Sequence, residues 1–304
     1  MQPTAHHEAF VWLNGTLIPQ SAASVPLSDL GLWGLAVTEM LRTYGGRPFH
    51  ATAHVERLLA SGQATGIFCP EKTELLDALH QVLRANADMI AQAGDIGISM
   101  CVTAGHNQLL CDSAGGHDGT VALVPFPLPF TAWQTLFVAG QKLITSNVRP
   151  VPADCIDPDI KSRSRLHWRL AERDVQQTDP NAKPLLVDAN GCVTETSTAN
   201  ILAAKDGSVL SPAPGGFLPG ITRAFVLCLA MELGLNVRLV PLTVQDLQSA
   251  DEVFLTSSLL GLCPVSHIDG QSLPHLRGPV FQQLAAAFAN AVGGTAAPFF
   301  SSQE

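Results

Sequence analysis

Apolar and polar positions along this chain follow two periods, and the changes of period mark out its elements. Phe10-Val-Trp-Leu13 and Thr16-Leu-Ile18 are strand-like runs around Asn14-Gly15, a pair suited to the positive-φ turn of a tight hairpin. Val37–Tyr44 reads as a strand, turned by Gly45-Gly46. Helical spacing then takes over. Val55, Leu58 and Leu59 share one side of His54–Gly66, and Leu75, Leu76, Leu79, Val82 and Leu83 share one side of Glu71–Ala93. Ile96–Thr103 and Thr120–Val124 return to the strand pattern on either side of a glycine-rich loop, Gly105–Gly119. In Pro125-Phe-Pro-Leu-Pro-Phe-Thr-Ala-Trp133 the repeated prolines suit neither a helix nor a central strand, so an extended connection is expected there.

Beyond that point strands are short and turns frequent. Leu136–Thr145 looks like strand, and an irregular Pro150–Pro158 stretch leads to Lys161. Ser162–Gln177 is expected to be helical, with Leu166 and Leu170 four apart. Pro184–Asp188 and Cys192–Glu195 form a hairpin over Asn190-Gly191, and Ile201–Ala204 and Ser208–Leu210 form another over Asp206-Gly207. A helix over Ile221–Leu233 carries Ile221, Phe225, Leu229 and Leu233 as a stripe. Strands at Val237–Val240 and Val253–Leu255 and a helix at Pro279–Val292 complete the pattern. The expected fold class is α/β, in the α+β two-domain sense. A small N-terminal α/β domain spans residues 1–128, a linker 129–135, and a larger barrel-like α/β domain 136–304.

Composition narrows the functions available. With 304 residues, 46% hydrophobic and 14% charged, the chain has ample material for buried cores. A net charge of −9 argues against sequence-independent nucleic-acid binding, which needs clustered Lys and Arg. Seven scattered cysteines, an odd count without a C-x-x-C pair, suggest reduced thiols and hence a cytoplasmic protein. Neither a signal peptide nor an apolar run approaching the roughly 20 residues of a membrane helix is read.

Candidate chemistry collects at a few polar positions. Lys161 has cations at Arg163 and Arg165 as neighbours, which favour its neutral, nucleophilic form; taken singly it also reads as a solvated lysine at a helix start. Glu195 ends a short strand, where a carboxylate can hold a heterocyclic nitrogen or simply face solvent. Gly220-Ile-Thr222 is a glycine turn opening a helix, and its free N–H groups and hydroxyl suit a phosphate or an ordinary cap. Arg57 offers a charged fork to the same phosphate, or lies on the surface of an amphipathic helix. The hydroxyls of Thr256-Ser257-Ser258 and the turn to Gly261 are further candidates for binding a phosphate or a carboxylate.

Five segments occur together in order: His54-Val-Glu-Arg-Leu58, Ile160-Lys-Ser162, Gly191-Cys-Val-Thr-Glu195 with Asn200, Leu218-Pro-Gly-Ile-Thr-Arg223, and Phe254–Val265. On these the chain resembles the fold-type IV pyridoxal phosphate enzymes, which include branched-chain aminotransferases, D-amino acid aminotransferases, (R)-selective amine transaminases and aminodeoxychorismate lyases. The resemblance runs from about Phe10 to Val265. It implies pyridoxal 5′-phosphate as cofactor, Lys161 as Schiff-base lysine and proton shuttle, and Glu195 on the pyridine nitrogen. It further implies Leu218 against the ring and Arg57, Ile221, Thr222, Ser257 and Ser258 around the phosphate. A homodimer with its active site near the interface is also implied.

Departures from the family pattern concern substrate. Many members carry Gly-Asp-Gly-Val-Phe/Tyr-Glu where this chain has Gly34-Leu-Ala-Val-Thr-Glu39, so Thr38 replaces an aromatic that often lines the pocket. The loop that holds a carboxylate-trapping arginine in D-amino acid aminotransferases contains none here, only His106 and His117. Arg42 substitutes from another wall or faces solvent on its strand. Thr38, Arg42, His106 and Leu259 are the expected substrate-side residues. Leu166 stands where branched-chain enzymes place a tyrosine. Ser164-Arg-Leu166 and Thr256-Ser-Ser-Leu-Leu-Gly261 look closest to the lyases, which however commonly carry threonine at Glu39 or Met40. The expected function is amino transfer between an amino acid or primary amine and a keto acid. The alternative is elimination of pyruvate from aminodeoxychorismate on the same lysine, and a cofactor-binding protein without turnover is a third reading.

Overall fold

A computed structural model describes residues 8–110 and 119–293. They fall into two compact units: one runs to Leu128 and takes in Ile160–Ser164, and the other comprises Pro129–Asp159 and the chain from Arg165 on. Lys161, expected in the C-terminal domain, thus belongs to the N-terminal unit. Backbone pairing explains this. Thr38 N donates to Lys161 O at 2.9 Å and Arg163 N to Ala36 O at 2.8 Å, so the lysine segment pairs with a strand of the first unit.

The first unit contains strands β1 (Phe10–Leu13), β2 (Thr16–Pro19), β3 (Ala36–Tyr44), β4 (Arg47–Pro48), β5 (Ile96–Thr103) and β6 (Val121–Pro127). Its helices are α1 (Ala51–Thr65), α2 (Lys72–Ala85) and α3 (Ala87–Ala93). The strands form one antiparallel sheet in the order β2-β1-β6-β5-β3-β4. Alternation sends Val37 and Leu41 of β3 and Ile96, Ile98, Met100 and Val102 of β5 to one face, where Val55, Leu58, Leu75, Leu79 and Val82 of the helices cover them. Glu39 lies between Val37 and Leu41 on this same apolar face and is buried with them.

The long helix expected over Glu71–Ala93 is two helices. Asn86 interrupts it at φ −109° and ψ 27°, and its amide donates to Phe10 O and Val82 O while accepting from Phe10 N. A short amide side chain that satisfies the backbone itself competes with helix propagation. The proline-rich stretch is not extended throughout either. Pro125 and Pro127 lie in β6 beyond its Leu123 and Ala122 pairs with β1, where the strand has a partner on one side only. Helix α4 (Phe130–Ala139) then occupies most of the expected linker and the start of the strand expected at Leu136.

In the second unit the remaining strands are β7 (Gln141–Thr145), β8 (Lys183–Val187), β9 (Val193–Thr196), β10 (Asn200–Lys205), β11 (Ser208–Pro212), β12 (Val237–Val240), β13 (Glu252–Ser257), β14 (Gly261–Ile268) and β15 (Gln271–Ser272). Helices α5 (Leu166–Gln176), α6 (Ile221–Glu232), α7 (Val244–Gln248) and α8 (Pro279–Ala291) accompany them. Strands β10, β13, β14, β7, β8 and β9 pair in that order, and β9 pairs back onto β10. The ring closes into a barrel through the single pair Asn200–Glu195. Leu143, Leu185, Ile201, Ala203, Val253, Leu255 and Val265 form its core, while Phe254, on the opposite face of β13, meets Phe281 of α8 at 5.8 Å between ring centroids.

Two expected helix stripes are corrected. In α5, which starts at Leu166 rather than Ser162, Leu166 and Leu170 are exposed and Ala171 and Val175 are buried. In α6 the buried positions include Thr222, Val226, Leu229 and Ala230, whereas Leu233 is exposed.

Candidate active site

The backbone around Lys161 is held from two directions. Besides its bond to Thr38, Lys161 N donates to Ser61 Oγ of α1 at 3.1 Å. Thr38 Oγ1 donates to Met100 O at 2.8 Å, so its hydroxyl is engaged within the sheet.

Within the same unit lies a charge cluster inside the apolar core. Glu39 and His54 are fully buried, and Arg57 is nearly so. Arg57 Nε donates to Glu39 Oε1 at 2.6 Å and Nη2 to Oε2 at 3.1 Å, a fork that fixes the guanidinium plane. His54 Nδ1 lies 2.7 Å from Glu39 Oε2. Burial by itself raises the Glu39 pKa, but hydrogen bonds from His54 and Arg57, with the charge of Arg57, overcome it and hold the carboxyl at about 2. For His54 burial dominates and lowers the pKa, with Arg57 and Lys161 adding to the effect, so the imidazole is neutral and donates from Nδ1. Arg57, expected as a phosphate ligand or a surface residue, is therefore an oriented, largely covered cation rather than a solvated one.

Arg42 is neither solvent-facing nor available as a carboxylate trap. It is 2% exposed, its Nη2 lies 3.7 Å from Asp95 Oδ2, and its guanidinium stacks over Tyr44 at 4.1 Å. Of the loop histidines, His106 Nδ1 sits 2.7 Å from Ser28 Oγ, and His117 lies outside the described residues.

The second unit gathers the other candidates around the barrel closure. Asn200 Nδ2 donates to Glu195 Oε2 at 3.2 Å and to Leu218 O at 3.0 Å, tying the carboxylate to the Leu218-Pro-Gly220 turn. Asn200 also pairs across β13 with Thr256, so Glu195, Asn200 and Thr256 form one cross-strand row. A side chain on Gly220 would lie 1.9 Å from Asn200 Oδ1, so only glycine allows the turn this close. Helix α6 begins at that turn, and no side chain caps it.

Among the described residues, two hydroxyls here have no partner. Thr222 Oγ1 and Thr256 Oγ1 are buried without a hydrogen bond, a costly state for a polar atom. Together with the uncapped N–H groups of α6 they form a donor set that fits a phosphate dianion. Ser257 Oγ, in contrast, accepts from Leu260 N at 3.2 Å, and Ser258 and Leu259 form the half-buried turn between β13 and β14. Ile221 and Leu218 are half-buried beside the α6 start.

Sequence reasoning missed the contributions of Ser61, Glu39, His54 and Asn200, whereas the Thr256 hydroxyl was among the candidates for a phosphate. Glu39 was read only as a departure from a motif and Asn200 only as part of one. A glutamate between two core positions of a strand, with His and Arg three apart on the next helix, is the signal that could have found the buried cluster.

Comparison with known proteins identifies the family and the fold. The family model described as Amino-transferase class IV matches residues 36–268. A putative branched-chain-amino-acid aminotransferase of Methanocaldococcus jannaschii is 32% identical over 91% of this chain and 94% of its own length. A D-alanine aminotransferase of Listeria monocytogenes is 31% identical over the same shares. Among solved structures, the branched-chain aminotransferase of Thermoproteus uzoniensis with norvaline superposes with a TM-score of 0.83 at 26% identity, covering 96% of this chain and 98% of its own. The branched-chain enzyme of Thermobaculum terrenum in its PLP-bound holo-form shares the fold, with a TM-score of 0.82 at 23% identity over 94% of each chain. This chain belongs to the class IV aminotransferases and is an enzyme of that type.

Proposed function

We propose that this protein is a pyridoxal 5′-phosphate-dependent transaminase that moves an amino group from a small amino donor to a keto acid, with Lys161 as its reactive amine. The observation that carries this reading is the donor set around α6. Thr222 and Thr256 bury hydroxyls without partners beside an uncapped helix N-terminus, in the same unit as the clamped Glu195.

The cofactor, when bound, supplies an electron sink for the carbanion formed at the substrate carbon. Everything else falls to the chain. Glu195, oriented by Asn200, keeps the pyridine nitrogen protonated. Leu218 would pack against the ring, and Ile221, Thr222, Ser258 and the α6 N–H groups would hold the phosphate; Arg57, oriented by Glu39, would supply a further guanidinium for it. Ser257 acts through the turn, since its hydroxyl serves Leu260 N. Lys161 would hold the cofactor through its side-chain amine and, as general acid and base, would move the proton at the substrate carbon. Thr38, its hydroxyl turned to Met100, presents its methyl group as pocket wall in place of an aromatic.

Borohydride reduction followed by peptide mapping tests the assignment: a pyridoxyl mass is expected on Lys161, and one on any other lysine sinks it. Release of pyruvate and 4-aminobenzoate from aminodeoxychorismate without an amino acceptor would instead favour elimination; the relatives compared above are named for amino transfer.

A volume-conserving change isolates the phosphate site. Thr222→Val should weaken cofactor affinity by about tenfold, because a charge-assisted hydrogen bond is lost. Stability of the cofactor-free protein should hold or rise, because an unsatisfied buried hydroxyl is removed. Absorbance titration and thermal denaturation read the two quantities, and unchanged affinity would remove Thr222 from the site.

The same reading makes the enzyme a cytoplasmic homodimer. The six described cysteines are all free thiols. Leu27, Leu32, Trp33 and Leu109 are exposed in the first unit, an apolar surface suited to burial by a second copy. Among the described residues no helix is long and apolar enough to cross a membrane.

A further inference from the structure

We propose that Arg163 receives the carboxylate of the amino donor and of the keto acid acceptor, which makes it a specificity-determining residue for substrates that carry one. The inference rests on Lys161 being the reactive amine, and it concerns only the face of the first unit from which that lysine projects.

The geometry comes from a single antiparallel bridge. Val37 pairs with Ser162, and the two flanking backbone bonds run from Thr38 N to Lys161 O and from Arg163 N to Ala36 O. Ser162 therefore lies across from Val37 with Lys161 and Arg163 flanking it on either side, and Thr38, bonded to Lys161, pairs with Cys101 of β5. Lys161 is the middle residue of a tight turn in which Ser162 N donates to Ile160 O at 3.0 Å. Residues two apart in sequence lie within about 7 Å of each other. An α-amino acid that has displaced Lys161 would keep its α-carbon within proton-transfer reach of Nζ, with its carboxylate one bond further on, a distance that an arginine two residues from the lysine can cover.

The other arginines of this unit near the lysine segment are already engaged. Arg42 is buried against Asp95 and Tyr44, and Glu39 grips Arg57 through two nitrogens. The Gly105–Gly119 loop contains no arginine. Arg163 differs: it is exposed, and among the described residues its guanidinium makes no hydrogen bond or ion pair. Its charge nevertheless reaches Cys101, the partner of Thr38 in β5, where burial raises the thiol pKa and Arg163 opposes it. A planar fork with no internal partner matches a carboxylate in both charge and shape.

The test compares substrates with and without a carboxylate on the cofactor-loaded enzyme. In Arg163→Gln and Arg163→Ala, KM for an α-amino acid and for its keto acid acceptor should rise on the order of tenfold to a hundredfold. The half-reaction with 1-phenylethylamine and the absorbance of bound cofactor should stay at wild-type values, and Arg163→Lys should recover part of the loss. Inhibition by a short aliphatic carboxylate, set against its primary amide, reads the same contact whether or not the enzyme turns over amines; only the carboxylate should weaken. Unchanged KM and unchanged carboxylate inhibition in the variants overturn the proposal, as does an equal loss for charged and uncharged ligands. Failure of the Lys161 reading looks different, because wild-type protein would then form no borohydride-trappable adduct at that residue and react with no amine.

Discussion

Lys161→Ala is expected to abolish amino transfer while leaving the fold in place. The bonds that hold the segment use the Lys161 backbone, whose carbonyl accepts from Thr38 N and whose N–H donates to Ser61 Oγ, and alanine keeps both. What disappears is the amine that attaches the cofactor and carries the proton, a group whose acid–base contribution alone is about 10²- to 10⁴-fold. Single-turnover rates with an amino acid should fall by at least that factor, and the thermal unfolding midpoint without cofactor should stay near the wild-type value. Retention of more than about a tenth of wild-type turnover would show that another residue performs the proton transfer. Added small amines such as methylamine should restore part of the rate, since the missing piece is a mobile base and not a structural strut.

Glu39→Gln should have the largest effect on stability. The carboxylate is fully buried and serves three donors, Met40 N, His54 and the Arg57 guanidinium, whose side chain is itself only 12% exposed. Removing the charge from one partner of such a pair weakens the compensation of the other and costs about 3–5 kcal/mol, a large part of the 5–15 kcal/mol that holds a typical domain together. Acidity supplies an independent reading. Hydrogen bonds and charge hold the folded-state pKa at about 2 against an ordinary 4.5, despite burial acting the other way. A lowered pKa stabilises the fold above the unfolded-state value, and this contribution, about 3 kcal/mol, drains away as pH falls from 4.5 toward 2. The buried neutral His54 acts in the same direction, because acid below its ordinary pKa of 6.5 protonates the unfolded chain first. Urea denaturation from pH 7 to pH 3 should therefore show the wild type and Glu39→Gln converging as the solution becomes acidic. A gap that stays constant with pH would mean that Glu39 contributes packing and no charge stabilisation. Cofactor affinity should fall in the same variant, because Arg57 loses the grip that orients it.

Much of this was legible in the chain itself, for reasons that are local. Asn14-Gly15, Asn190-Gly191 and Asp206-Gly207 each sit in the turn they imply, since a residue tolerant of positive φ followed by glycine leaves a hairpin few alternatives. Helices α1, α6 and α8 begin and end within a few residues of the expected limits. Lys161, Glu195, Thr222 and the Gly220 turn were identifiable because their residue types and order carry a chemistry. Boundaries decided by competition between local and distant contacts were not legible. Asn86 breaks a continuous helical pattern only because the backbone of Phe10 arrives beside it. The proline run becomes strand and then helix because β5 offers a partner as far as Pro127. Leu166 and Leu170 are exposed in the single chain, against the usual meaning of leucines four apart.

By itself, then, the sequence determined most of the element types, the tight turns and the family, and it nominated the residues proposed to bind or transfer, all of which depend on a residue and its near neighbours. Only the tertiary structure decided that the lysine segment pairs with β3, that the barrel closes at Glu195 and Asn200, and that Glu39 is the buried counter-ion of Arg57. Those depend on strand register and on burial. Register places one residue opposite another from far along the chain, and burial turns an ordinary carboxylate into a strong electrostatic anchor, neither of which a linear pattern contains.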